Sequence, residues 1–140
     1  MKSTLIFVST ILCSTLVSAA TYMVTSTADA GAGTLREAVT LANTNSGVAD
    51  VIDFNLTGGG PYTISLLSAL SLTDNAGVTI NGFSQSGSSA NTASVQSASP
   101  FDPVYQVILT SGANFNSAVT IPGSNNLITG LVFQDFGDGT

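Results

Sequence analysis

Residues 31–54 read GAGTLREAVTLANTNSGVADVIDF, and within this stretch a helical pattern gives way to a strand pattern. Thr34, with Glu37 three residues on, forms a capping box in which each side chain satisfies a backbone donor at a helix start. Leu35, Ala38, Val39 and Ala42 recur at helical spacing and define one apolar face. Asn43-Thr44-Asn45-Ser46-Gly47 then ends the helix with turn chemistry. A helix of roughly ten residues is too short to be stable alone, so this one needs an apolar surface to lie on. Val51-Ile52-Asp53-Phe54 begins the strand pattern.

Outward from that stretch, everything else reads as β. Upstream, Tyr22-Met23-Val24-Thr25-Ser26-Thr27 has β-branched and aromatic strand content, broken at Asp29-Ala30-Gly31-Ala32-Gly33. Downstream come Tyr62-Thr63-Ile64-Ser65-Leu66, Leu70-Ser71-Leu72, Val78-Thr79-Ile80-Asn81, Val107-Ile108-Leu109, Ala118-Val119-Thr120-Ile121, Leu127-Ile128-Thr129 and Leu131-Val132-Phe133. Such short strands between Gly and Asn corners suit a sandwich or a solenoid. Small polar corners (Asn81-Gly82, Asn125-Asn126, Thr129-Gly130) and nearly uncharged strands favour stacked coils, although no clean repeat period emerges. Residues 84–100, SQSGSSANTASVQSASP, read as a low-complexity loop thrown out of one coil.

Composition narrows the class. Charged residues make up 7% of the 140, against about 25% in an ordinary soluble domain, and hydrophobic residues 44%. Beyond position 20 there is no run of about 20 apolar residues that would span a membrane. Wholesale disorder calls for low hydrophobicity with high net charge, which the recurring Val, Ile, Leu and Phe contradict. A tightly hydrogen-bonded β structure is left.

Residues 1–20 read as a cleavable signal peptide. Lys2 gives a positive start, Leu5 to Val17 an apolar run, and Ser18-Ala19-Ala20 the small residues a signal peptidase needs; cleavage after Ala19 or Ala20 fits equally well. The single cysteine, Cys13, lies in the apolar run behind Leu12, a poor setting for lipidation. The processed chain then has no thiol, and Arg36 is its sole basic side chain against eight acids. That balance excludes nucleic acid and anionic membrane as partners.

Residues 31–43, then Asp50-Val51-Ile52-Asp53-Phe54, resemble the opening segment of bacterial secreted right-handed parallel β-helix surface proteins. That segment reads Gly-x-Gly, Ser or Cys, Leu-Arg-Glu-Ala-Ile, Ala-Asn, then Asp-x-Ile-x-Phe; here Thr34 and Val39 are mild departures. Residues 79–87, TINGFSQSG, resemble a second family segment, Ile-Asp-Gly-x-Ser-Gln-x-Gly, with Asn81 in place of Asp. The resemblance implies an all-β fold: the start of a right-handed parallel β-helix, or β-solenoid, with a short N-terminal capping α-helix. On that reading residues 21–46 are the first strand and cap, and 47–140 the first coils. Family members continue for many more coils, so a chain stopping at Asp138-Gly139-Thr140 is expected to be a truncated piece of a longer protein.

Catalytic chemistry finds few candidates. With no His and no processed Cys or Lys, Ser-His-Asp, Cys-His and Schiff-base arrangements are out of reach. Paired carboxyls for glycosidic cleavage reduce to Asp50 with Asp53 or Asp135 with Asp138. Asp50 and Asp53 belong to the opening motif and suit corner hydrogen bonds or an ion pair with Arg36; Asp135 and Asp138 suit a Gly-containing turn. Asn55-Leu56-Thr57 matches a glycosylation acceptor, and Thr25-Ser26-Thr27 a fragment of an ice-binding threonine array, each by accident. Calcium has neither an EF-hand loop nor a nonapeptide repeat to bind. No catalytic, cofactor-binding or metal-binding residue is therefore assigned, no cofactor is expected, and the inventory leans against an enzyme. The expected function is an extracellular or cell-surface structural and adhesive module, with extracellular glycans or cell-surface components as partners and no membrane insertion after cleavage. The alternative is the N-terminal part of a β-helix polysaccharide lyase or glycoside hydrolase whose active site lies in later coils.

Overall fold

The computed structural model describes residues 17–94 and 101–137. Residues 1–16 of the expected leader, with Cys13, residues 95–100 of the expected loop, and Asp138 lie outside these residues. Among the described residues, nine strands and one α-helix follow one another as β1 (Thr21–Val24), α1 (Leu35–Thr44), β2 (Asp50–Phe54), β3 (Tyr62–Leu66), β4 (Leu70–Ser71), β5 (Val78–Asn81), β6 (Val107–Ser111), β7 (Val119–Thr120), β8 (Leu127–Thr129) and β9 (Leu131–Gln134). The described chain is thus mostly β with one helix, and it forms no barrel.

Three sheets hold the strands, in the orders β1-β2-β5-β8, β3-β6-β9 and β4-β7. Every strand pair in them is parallel. From β2 onward the chain visits the three sheets in rotation and then returns to the first. Equivalent positions stack: Tyr22, Ile52, Ile80 and Ile128 form one column of the first sheet, and Ile64, Leu109 and Phe133 one column of the second. Side chains alternate across each strand, so Ile52, Phe54, Ile64, Leu66, Val78, Ile80, Val107 and Leu109 point into a shared core.

The spacing of the stack explains why the sequence shows no fixed period. Asp53 and Asn81, neighbours on adjacent strands, are 28 residues apart. One layer further, Val78 and Asn126 are 48 apart. The longer step contains the excursion between β5 and β6, which masks the repeat.

Helix α1 closes one end. Leu35, Ala38, Val39 and Ala42 are all buried, as their spacing predicts, and pack against β1, β2 and β4. The predicted capping box forms with a shift. Thr34 Oγ1 accepts from the Glu37 amide at 3.2 Å, while Glu37 Oε2 accepts from the Gly33 amide, one residue before the expected partner, at 2.6 Å.

Several predicted strands are shorter than expected. The first ends at Val24, because the Thr25 and Ser26 amides turn to the Gly33 carbonyl at 2.9 and 3.0 Å. In the region 118–121 only Val119 and Thr120 pair. The excursion also starts later than the composition suggests: Gly82–Ser84 form a 3-10 turn and Gln85 is buried. Beyond it, Ser89 and Val104 exchange antiparallel hydrogen bonds at 2.9 Å, which gives the loop a paired base.

Candidate functional site

Two side chains act as substitute strands. Gln85 Oε1 accepts from the Leu56 amide at 2.7 Å, and its Nε2 donates to the Leu56 carbonyl at 3.0 Å, so one amide side chain satisfies a buried backbone residue that no strand reaches. Asn43, near the end of α1, does the same beyond β4: Nδ2 donates to the Ser71 carbonyl at 2.7 Å and Oδ1 accepts from the Thr73 amide at 2.9 Å. Ser84 adds a third link, accepting from the Phe54 amide at 2.7 Å while donating to the Asn81 carbonyl at 2.6 Å. The sequence assigned Ser84 and Gln85 to the loop and Asn43 to a simple turn. Their tying role depends on which backbone lies opposite, and only their places in the two family-like segments hinted at it.

The acidic residues are distributed rather than gathered. Asp50 is inward and 1% exposed, whereas Asp53 lies on the other face of β2 and accepts from Asn81 Nδ2 at 3.0 Å. The period of a strand thus separates the two carboxyls considered for catalysis. Asp50 accepts from the Ala20 amide at 2.7 Å and from Asn45 Nδ2 at 2.8 and 3.0 Å. Of the two roles expected for Asp50 and Asp53, the hydrogen bonds form, and Arg36 pairs with Asp29 instead, at 2.7 and 3.1 Å. Arg36 also donates to the Ser68 carbonyl at 2.7 Å and the Ala69 carbonyl at 3.5 Å, tying α1 to the turn before β4. Asp135 is an exposed turn residue at φ 58°, and its suggested partner Asp138 lies outside the described residues. Asp74 is buried at a corner, where Oδ1 accepts from the Ala76 amide at 3.2 Å. Among the described residues, no three His, Cys, Asp or Glu side chains come together to hold a metal ion.

Two titrating groups are displaced from their ordinary values. The Tyr22 hydroxyl is raised, first by burial and then by the negative charge of Asp50. Asp102 is lowered, chiefly because the Thr92 hydroxyl and amide donate to it, at 2.5 and 2.7 Å. That carboxylate clasps the two stems of the excursion.

Two surface depressions lie at opposite ends of the stack. A groove of about 320 Å3 runs beside α1, lined by Ala30, Gly31, Arg36, Glu37 and Leu41. At the other end a hollow of about 340 Å3 is lined by Val119, Ile121, Ile128, Phe133 and Phe136. Ile121 and Phe133 are each about half exposed there, Leu127 is about half exposed on β8, and Phe136 packs edge-on to Phe115 with ring centroids 5.5 Å apart. A third apolar surface lies at the foot of the excursion, where Phe101, Val104 and Tyr105 are exposed and Tyr105 stacks on Phe83 at 5.7 Å. The chain matches no protein-family model, no curated protein and no solved structure. Among the described residues no helix is long and apolar enough to cross a membrane.

Proposed function

We propose that this chain is the opening segment of a secreted right-handed parallel β-helix, acting outside the cell or on its surface as a structural and adhesive module. The observation that carries the reading is the rotation of successive strands through three parallel sheets, with a helix over one end. Handedness follows from the general rule that crossovers between parallel strands of one sheet are right-handed in about 98% of cases. Solenoids of this kind need a cap at their terminus, the place α1 takes here. The half-exposed apolar side chains at the other end suit continuation into further coils, so the chain is read as part of a longer protein. Export is supported by the leader-like residues 1–20.

For adhesion, the support is the clasped excursion with its exposed Phe101 and Tyr105, since aromatic rings offer a flat apolar face for the C–H face of a sugar. The test has two arms. A crystal structure must wind right-handed through the three sheets; a left-handed circuit would refute the fold reading. Purified protein should bind immobilised extracellular glycans, with a Phe101→Ala, Tyr105→Ala variant at least about tenfold weaker, and should leave acidic polysaccharides uncleaved. Turnover of such a polysaccharide would reject a purely structural role.

A further inference from the structure

Asp50 is a buried carboxyl group with no cationic partner among the described residues. Its carboxylate is 1% exposed, yet the groups donating to it, the Ala20 amide and the Asn45 side-chain amide, are both neutral. A buried carboxylate normally has a cationic partner. Arg36, the one basic side chain left once Lys2 is removed, is engaged by Asp29. A processed chain has one other cation, its own terminal ammonium.

We propose that the chain is processed between Ala19 and Ala20, and that the new α-ammonium of Ala20 forms a part-buried ion pair with Asp50 that locks the first strand under the capping helix. This rests on the export reading and deepens it by naming the bond cut and the purpose of the new terminus. The geometry is already in place. Ala20 N lies 2.7 Å from Asp50 Oδ1, and the Ala20 carbonyl accepts from the Val51 amide at 2.9 Å, so Ala20 is held by β2 at both its polar atoms. Residues 17–19 just before it are exposed, whereas Ala20 is half-buried. Sequence alone permits a cut after either alanine; a cut after Ala20 would remove both of these bonds and leave Asp50 without its nearest donor.

The chemical step is peptide hydrolysis by a signal peptidase. Water adds its hydroxyl to the Ala19 carbonyl carbon, the C–N bond breaks, and Ala20 nitrogen leaves as an amine. At neutral pH that amine takes up a proton while Ala19 retains a carboxylate. An amide donor thereby becomes an ammonium donor at the same site, with Tyr22 the titratable neighbour whose hydroxyl Asp50 already influences. Folding and processing are coupled through this pair.

The absence of lysine from the processed chain makes the test selective, because an amine-directed reagent then has the N-terminus as its sole amine target. The full chain with its leader is expressed in an exporting bacterium and the secreted product is weighed by intact mass spectrometry. A product starting at Ala20 is expected. A product starting at Thr21 overturns the proposal while leaving export intact; a cytoplasmic product that keeps the leader overturns both. On the exported protein, acetylation of the terminus should be at least about tenfold slower in the native state than in urea. Equal rates would overturn the ion pair even with the cut in the expected place. Once acetylated in urea and refolded, the protein should melt about 5 °C or more below the free-amine form. An unchanged melting temperature would overturn the lock.

Discussion

Gln85 spans the gap in which the Leu56 backbone has no strand partner, and its contribution is set by what is left behind on removal. Unpaired buried amides and carbonyls cost about 1–3 kcal/mol each, so Gln85→Ala is expected to destabilise by about 2–4 kcal/mol, read as a lower urea midpoint. Arg36 works by fork geometry, reaching Asp29 and two carbonyls together. Arg36→Lys keeps the charge without the fork and should recover less than half of the loss of about 1–2 kcal/mol expected for Arg36→Ala. Much of the family-like stretch acquires a physical role at this scale: Thr34 and Glu37 cap, Leu35, Ala38, Val39 and Ala42 fill the core, Arg36 and Asn43 tie, and Asp50 holds the Ala20 amide and Asn45. The core and cap roles were legible from spacing. Which groups Arg36 and Asn43 tie to was not, because a side chain's partner across 28 to 33 residues of chain is decided by folding.

At the scale of elements, α1 contributes through its buried face. Leu35 is fully buried, so Leu35→Ala should cost about 2–5 kcal/mol, whereas Thr40→Ala on the exposed side should be nearly neutral; thermal melts compare the two. The excursion between β5 and β6 is clasped by Asp102, whose pKa is lowered on folding. A lowered folded-state value means that the clasp stabilises above the ordinary carboxylate pKa of 3.8 and is lost as pH falls through the lower folded value. Limited proteolysis at the excursion should therefore stay slow from neutral pH down to about 4, in Asp102 protein, and accelerate below it; Asp102→Asn should be more readily cut already at pH 7. The corner from β5 is packed directly on the corner from β8. A Cβ on Gly82 would run into the Gly130 carbonyl, and Gly130 itself sits at φ +71°, so neither position has room for a side chain.

Taken whole, the molecule has one sealed end and one end rich in exposed apolar side chains. Ile121 and Phe133 line the hollow beside β7, β8 and β9, Leu127 is exposed on the last strand of its sheet, and strand edges of this kind recruit other chains. Light scattering is expected to show concentration-dependent association, which lysine at Leu127 and Phe133 together should suppress. A monomer at all concentrations would show that this end needs no cover.

Local information determined much of this protein: the helix and its cap, the inward set of each strand, the corners, and the absence of Cys, His and Lys from residues 21–140. Those features depend on periodicity and residue type, both readable from neighbours in the chain. Tertiary structure alone decided which strands lie side by side, that Arg36 meets Asp29, that Gln85 is an internal tie, and that Ala20 faces Asp50. Each of these depends on the lengths of the intervening segments, and an excursion of irregular length hides the stacking until the chain is folded.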